Sequence, residues 1–417
     1  VIAIAVVSTA ATAADLTLQP EDRIVFVGNT FAERMREYNS FETLVRCRFP
    51  ELNLTFRNMG WSADEVTLRP RPLNFGDIHQ HLTDQQADVI FLCYGFNESF
   101  AGEDAVDQFK TDYAAFVEEL RTHQYNGKSA PRLVIVSPTP QEPIDATPEV
   151  YERNAEIGKY TDALRGLAEE EGIPFLDLFN GLHAWRDRAG GMPLTFNGIH
   201  LEEQGYWAAA LVMLGQLGWS WPNQQVTLDA TQQSDAAPPV HSVHSVHSVH
   251  SVHPVHPTLA QTDTGYQITL EHLVLPGPTP PEGAAPGSAT LISPPVLQVI
   301  GLPAGEYGLY LGDARIAAAN EVALAQGIPL RDEAAQAAAD AALAKARHKN
   351  RLFFDRWRAV NGYYIYGGRK EPFGVQSFPP EMQRFDELVR EEEAAINSNL
   401  NQFTARTFEL RREEPAS

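Results

Sequence analysis

From position 23 onward the chain alternates short apolar runs with stretches of helical spacing. Ile24-Val25-Phe26-Val27, closed by Gly28, reads as a strand, and 31–38 follows as a helix. Phe41, Leu44, Val45 and Phe49 then recur at three- and four-residue intervals, the period of a helix that buries one face. Further strands are predicted at 54–57, 88–93, 132–136 and 174–177, with helices over 104–122, 150–171 and 202–217. The strands are almost continuously apolar rather than alternating, so both faces of their sheet must be covered. Strands of that kind separated by helices predict an α/β domain over 15–221, a doubly wound sheet of five parallel strands. Ligands of such sheets sit beyond the carboxyl ends of the strands. The loops after Val27, Arg57, Cys93 and Val136 are therefore where chemistry is expected.

After Trp221 the pattern changes. Residues 222–261 are rich in Gln, Pro, Ser and Thr and carry Val-His-Ser repeats over 240–256. Histidines at three-residue spacing could hold a transition metal weakly, but nothing around them supplies the supporting contacts that fix metal ligands. The segment is read as a solvated linker, and no metal site is assigned. Alternating runs at 266–270, 296–300 and 306–311 predict a small β unit over 262–318. A helical extension is predicted for 319–417, with an Ala-rich helix over 332–348 and a charged, solvated helix over 381–412. The aromatics within 352–357 and 363–366 are read as packing against the first domain or the β unit, with a sugar-stacking surface as the alternative.

Residues 1–14 pair an apolar run with small residues, and Ala11-Thr12-Ala13 fits a cleavage pattern. They are read as the remnant of a signal peptide, a buried first strand being the alternative. A secreted or periplasmic location is the resulting expectation. No later apolar stretch is long enough to span a bilayer. Fifty-four acidic residues against 32 Lys and Arg give a formal charge of -22. That balance argues against general nucleic-acid binding and against docking on anionic membranes through a basic surface. Cys47 and Cys93 read as two small buried thiols, with a disulfide as the alternative.

Four short motifs stand at the predicted strand ends. Gly28-Asn29-Thr30 follows the first strand, Asn58-Met59-Gly60 the second and Gly95-Phe96-Asn97-Glu98 the third. Asn197-Gly198-Ile199-His200 precedes the last helix of the domain. Each alone is an ordinary turn signal. In this order, at the ends of one parallel sheet, they resemble the blocks of the SGNH (GDSL-like) hydrolases: Gly-Asp-Ser, a Gly, Gly-x-Asn-Asp and Asp-x-x-His. The resemblance covers about 22–218 and implies a flavodoxin-like sheet of the SGNH type and hydrolysis of an ester, an O-acyl group on a carbohydrate being one candidate. It puts Thr30 at the nucleophile position, His200 at the base, Gly60 and Asn97 at the oxyanion donors, and Asn197 where the triad acid stands. Asn29 and Glu98 occupy positions usually held by Asp.

The chemistry of that set is specific. A positioned imidazole takes the hydroxyl proton and returns it to the leaving group. Donors aimed at the developing oxyanion are worth on the order of 10²–10³ in rate each. Two departures stand out. Threonine carries a methyl that stiffens χ1 and crowds the attack path. An Asn in place of the triad Asp can orient an imidazole but supplies no charge, and the same exchange in a serine-protease triad lowers kcat by about 10⁴. Glu202 or Glu203 is an alternative carboxylate, and Ser62 an alternative nucleophile. Asn29, Glu98, Arg69 and Arg71 are candidate substrate contacts, the arginines for an anionic group, with pairing to nearby acids as the plainer account. The segment Pro138-Thr139-Pro140-Gln141-Glu142 after the fourth strand is a candidate pocket lining with no fixed role, and His183 is read as structural. No cofactor is implied. The expected partner is a small-molecule or glycan ester, and the oligomeric state stays open. The alternative function is a catalytically weakened SGNH-fold protein that binds a ligand or serves as a scaffold.

Overall fold

The computed structural model describes residues 16–71, 75–143, 148–221, 225–231, 255–288, 292, 294–365 and 373–413. The leader read into 1–14, Asn74, Tyr366 and most of the histidine repeat lie outside the described residues. Five parallel strands, β1 (Arg23–Gly28), β2 (Thr55–Asn58), β3 (Val89–Cys93), β4 (Arg132–Val136) and β5 (Phe175–Leu176), form one sheet in the order β2-β1-β3-β4-β5. The expected fold class is therefore observed. Alternate residues of each strand enter different cores. Ile24, Phe26, Phe91 and Val134 pack on one face with Leu44, Val45, Trp207 and Met213. Those partners lie on α2 (Ser40–Arg48) and α7 (Glu203–Gln216), and α1 (Thr30–Tyr38) covers the same face. Val25, Val27, Ile90, Leu92 and Ile135 pack on the other face with α4 (Val106–Arg121) and α5 (Pro148–Glu171). Both faces being dry, the interior positions of the three central strands, β1, β3 and β4, are apolar.

The chain leaves β1 toward β2 on one side and later lays β3 on the other. Connections diverge at that switch point, so a crevice opens beyond the carboxyl ends of β1 and β3. Two helices escaped the reading of periodicity, α3 (Ile78–Asp84) and α6 (Leu178–Arg188). Both are capped by an aspartate, Asp77 accepting from Gln80 N and Asp177 from Asn180 N.

The second half departs further from expectation. Strands β6 (Gln225–Asp229) and β7 (His256–Thr262) fall inside the stretch read as linker. β6 pairs in parallel with β9 (Val296–Ile300), which also carries the short β12 (Ile328–Pro329). A second sheet has the order β11-β10-β13-β8-β7, where β8 is Gly265–Glu271, β10 Glu306–Leu311 and β11 Ala314–Asn320. Its central strand, β13 (Arg406–Glu413), comes from the segment expected to end a charged helix. Phe408 and Leu410 alternate inward there while charged residues flank them, and the density of charge hid a period of two. Between the sheets' strands come α8 (Glu321–Gln326) and a long helical pair, α9 (Glu333–Ile365) and α10 (Phe373–Asn401).

The helical pair is fastened to the first domain rather than solvated. Ala335, Ala338, Ala339, Ala342 and Ala346 form an apolar cluster with Cys47 of α2, their small side chains permitting close approach. Phe353 and Trp357 enter the core beneath β1 and β3, so the packing reading of the first aromatic group holds. A buried ionic network joins the two halves. Arg46 donates to Glu42, Glu393, Asn397 and the Leu54 carbonyl, and Lys349 donates to Glu42 at 2.6 Å and the Phe56 carbonyl at 3.0 Å. Burial works to raise the Glu393 carboxyl, but Lys349, Arg46 and Arg57 together hold it below its ordinary value. Cys47 and Cys93 are both buried and unpaired, so the disulfide alternative falls away.

Candidate active site

The site begins at Gly28, whose φ of 139° and lack of a side chain let β1 end hard against β3. A Cβ there would sit 2.2 Å from the Cys93 carbonyl oxygen. Asn29 donates its N–H to that oxygen at 3.1 Å and caps α1, its Oδ1 accepting from Phe31 N at 3.1 Å. Asn29 thus borders the cleft with its carbonyl oxygen committed to the cap. Thr30 is the first residue of α1, and its Oγ1 accepts from Ala63 N at 3.4 Å. Its own N–H stands at the positive end of the helix dipole.

The loop after β3 turns at Gly95, with φ of 107°. Arg153 of α5 holds this loop by donating to the Phe96 carbonyl at 3.1 Å and the Ser99 carbonyl at 2.9 Å, its guanidinium 3.8 Å from the Phe100 ring centre. Asn97 lines the cleft from this loop. Glu98 does not. Its carboxylate accepts from Gly95 N at 2.8 Å and Val66 N at 3.0 Å, tying the β3 loop to the β2 loop. Burial outweighs those bonds and pushes its pKa up to about 7.

His200 comes from a tight loop before α7, closed by a bridge between Thr195 and Leu201. Asn197 Oδ1 accepts from His200 N at 2.8 Å and Ile199 N at 3.2 Å. Those two donors fix which side of the amide is oxygen. The Nδ2 group then lies 2.8 Å from His200 Nδ1, with Oδ1 at 3.1 Å. An imidazole accepting at Nδ1 carries its proton on Nε2. Burial, and next the charge of Arg34, lower the pKa of His200, so the ring is neutral at pH 7. Phe196 stacks on it with ring centres 5.7 Å apart.

Thr30, Asn97 and His200 meet in one cleft with room of about 220 Å³, walled by Phe96, Phe100 and Ile199. No hydrogen bond joins Thr30 to His200 among the described residues. Gly60 is not at this cleft. Its N–H is donated to Asn58 Oδ1 at 3.0 Å, and a Cβ would meet Glu33 N at 2.3 Å. The oxyanion role expected of Gly60 is thus replaced by a packing role, where the chain after β2 crosses α1. Arg69 and Arg71 line a separate cavity behind Tyr94. Arg71 pairs with Asp64, so the plainer account holds for it, whereas Arg69 donates to the Val66 carbonyl instead of pairing with an acid. Ser62 donates to Glu33, Glu203 pairs with Arg347 and Glu202 accepts from Gln204 at 2.9 Å, each away from His200. His183 packs edge-on against Phe179.

Sequence reading missed Glu142. Its position after β4 was visible, but its partners, 52 and 53 residues later, were not. Among the described residues no group of three or more His, Cys, Asp or Glu side chains is arranged to hold a metal ion, and no helix is long and apolar enough to cross a membrane.

Residues 26–208 match the model of the GDSL-like lipase/acylhydrolase family. A search among curated proteins gave no match. Among solved structures, a gut microbial diltiazem-metabolizing enzyme aligns with a TM-score of 0.65 at 15% identity, over 96% of this chain and 100% of that one. That likeness extends the shared fold through the C-terminal half. An acetylxylan esterase from Geobacillus stearothermophilus aligns over 49% of this chain and 98% of its own, at 16% identity and a TM-score of 0.38. An alpha/beta hydrolase enzyme from the metagenome of Lake Arreo, Spain, aligns over 48% and 97%, at 17% identity and a TM-score of 0.37.

Proposed function

We propose that residues 26–208, which match the model of the GDSL-like lipase/acylhydrolase family, form a hydrolase of that kind that cleaves an ester through an acyl-Thr30 intermediate. The observation that carries this reading is the meeting of the Thr30 hydroxyl, the Asn97 amide and the His200 imidazole in one cleft beyond the sheet. With the neutral imidazole protonated on Nδ1, whose hydrogen Asn197 Oδ1 accepts at 3.1 Å, His200 Nε2 takes the Thr30 proton as Oγ1 attacks the carbonyl carbon. The alcohol leaves with that proton, and water then releases the acid. The Thr30 N–H and the Asn97 side chain are the oxyanion donors, at the N-terminus of α1 where the helix dipole favours negative charge. The substrate we propose is an O-acylated carbohydrate met outside the cytoplasm, on the strength of the leader read into 1–14.

Asn197 favours a second reading. With its Nδ2 facing His200 Nδ1, the imidazole presents Nε2–H to the cleft, a donor where a base is required. The site then binds an acyl or carboxyl oxygen and turns over slowly or not at all. Aryl acetates and acetylated xylo-oligosaccharides separate the two. Turnover abolished by both Thr30→Ala and His200→Ala supports hydrolysis. Turnover that survives Thr30→Ala removes Thr30 as nucleophile. Glycan binding without turnover establishes the second reading.

A further inference from the structure

Glu142 is a buried carboxylate (6% exposed) that neither the sheet nor the cleft requires. It stands in the loop after β4, held there by Asn154 of α5, which accepts from Gln141 N and donates to the Gln141 carbonyl, both at 2.8 Å. Its two oxygens accept from Leu194 N at 3.0 Å each. One of them also accepts from Thr195 N at 2.9 Å and Thr195 Oγ1 at 2.6 Å. Its own N–H donates to the Gly198 carbonyl at 2.7 Å, and Thr195 Oγ1 accepts from Gly198 N at 3.1 Å. Arg186 Nε lies 3.6 Å from the same carboxylate and balances its charge. Every one of these bonds, the arginine apart, ends in residues 194–198, the segment that delivers Asn197 and His200.

We infer that Glu142 is the positioning residue of His200, fixing through the 194–198 loop how far the imidazole reaches toward Thr30. A triad places its carboxylate on the imidazole itself. This chain places an amide there and a buried carboxylate one layer behind, on the backbone of the loop. Three N–H groups and a hydroxyl on or next to one carboxylate make a charge-assisted cluster stronger than neutral bonds. Removing the charge leaves donors facing an amide NH2, with several buried groups unpaired. The loop then relaxes, and a shift of about 1 Å in a catalytic group costs up to about 10²-fold in rate.

The inference rests on the hydrolase reading, so the test has one arm that needs no turnover. In the kinetic arm, Glu142→Gln is expected to lower kcat at least about tenfold with KM within about twofold. Thr195→Val, which removes the two hydroxyl bonds of the cluster, should move kcat the same way by less and serves if Glu142→Gln does not fold. In the second arm, the His200 imidazole resonance, assigned by its loss in His200→Ala, should shift in Glu142→Gln or Thr195→Val while that of His183 stays. A kcat unchanged in both Glu142→Gln and Thr195→Val, or an unmoved His200 resonance, overturns the inference. Absence of turnover in the native protein together with a shifted resonance upholds it and removes the hydrolase reading alone.

Discussion

Asn197→Asp is the substitution from which most is expected. Oδ1 already accepts from His200 N at 2.8 Å and Ile199 N at 3.2 Å, and an aspartate keeps both bonds. Its second oxygen falls where Nδ2 now stands, 2.8 Å from His200 Nδ1, and accepts a hydrogen bond from an Nδ1–H. The lone pair is thereby moved to Nε2, facing the cleft, and the carboxylate stabilises the imidazolium formed during attack. In a serine-protease triad the opposite exchange costs about 10⁴ in kcat, which is about 5.5 kcal/mol of transition-state stabilisation. Here Thr30 remains a hindered nucleophile and one oxyanion donor expected from the family is missing. The predicted gain in kcat is therefore between about 10² and 10⁴. Initial rates on an aryl acetate across pH 5 to 9 measure it, and the acid limb should also move up in pH because a carboxylate raises the pKa of its histidine. If Asn197→Asp is no faster than the native protein while His200→Ala still abolishes turnover, the tautomer argument is wrong.

Three further outcomes follow from the same structure. On the proposed mechanism the base is a neutral His200 with a lowered pKa, so kcat/KM should rise with pH to a plateau, with a midpoint below 6.5. Arg34→Gln removes one cause of the lowering and should move that midpoint upward, as a pH-rate profile would register. Glu98, ordinarily near 4.5 in the unfolded chain and about 7 in the fold, keeps its proton longer when folded. Stability should fall as pH rises through that window, on the order of 3 kcal/mol in all, and urea unfolding of the native protein against Glu98→Gln at pH 5 and 8 should show the gap. Glu393→Ala takes from the buried Arg46 and Lys349 one of the two carboxylates they share, Glu42 being the other, and should cost about 3–5 kcal/mol by the same urea assay. A loss below about 1 kcal/mol would mean that the helical pair is not fastened through this network.

The first domain was legible because parallel strands buried on two faces leave a plain signal, apolar runs of five residues closed by Gly or Asn. The places of Thr30 and Asn97 in the cleft were legible for the same reason, each lying a short step beyond a strand end, and that of His200 from its motif just before the last helix of the domain. Gly60 was misjudged because a sequence motif cannot show that its amide is already bonded to Asn58. Arg69 and Arg71 were offered to a pocket that Tyr94 separates from them. Glu142 escaped because a carboxylate whose partners are backbone N–H groups far along the chain leaves no spacing to read. The C-terminal half was the least transparent part. β13 alternates correctly, yet its Arg and Glu residues resemble a solvated helix until the sheet receives Phe408 and Leu410. Lys349 and Glu393 look like surface charges, and only their juxtaposition with Arg46 shows them to be buried.

The central claim is that Thr30 carries the acyl group. Mixing the Asn197→Asp protein with an aryl acetate, quenching in acid and mapping the peptides by mass tests it directly, since acid preserves an ester of threonine. The account predicts one acetyl group on the peptide bearing Thr30, absent in Thr30→Ala and in His200→Ala. Steady hydrolysis with no label on that peptide, or with the label on another residue, would contradict it.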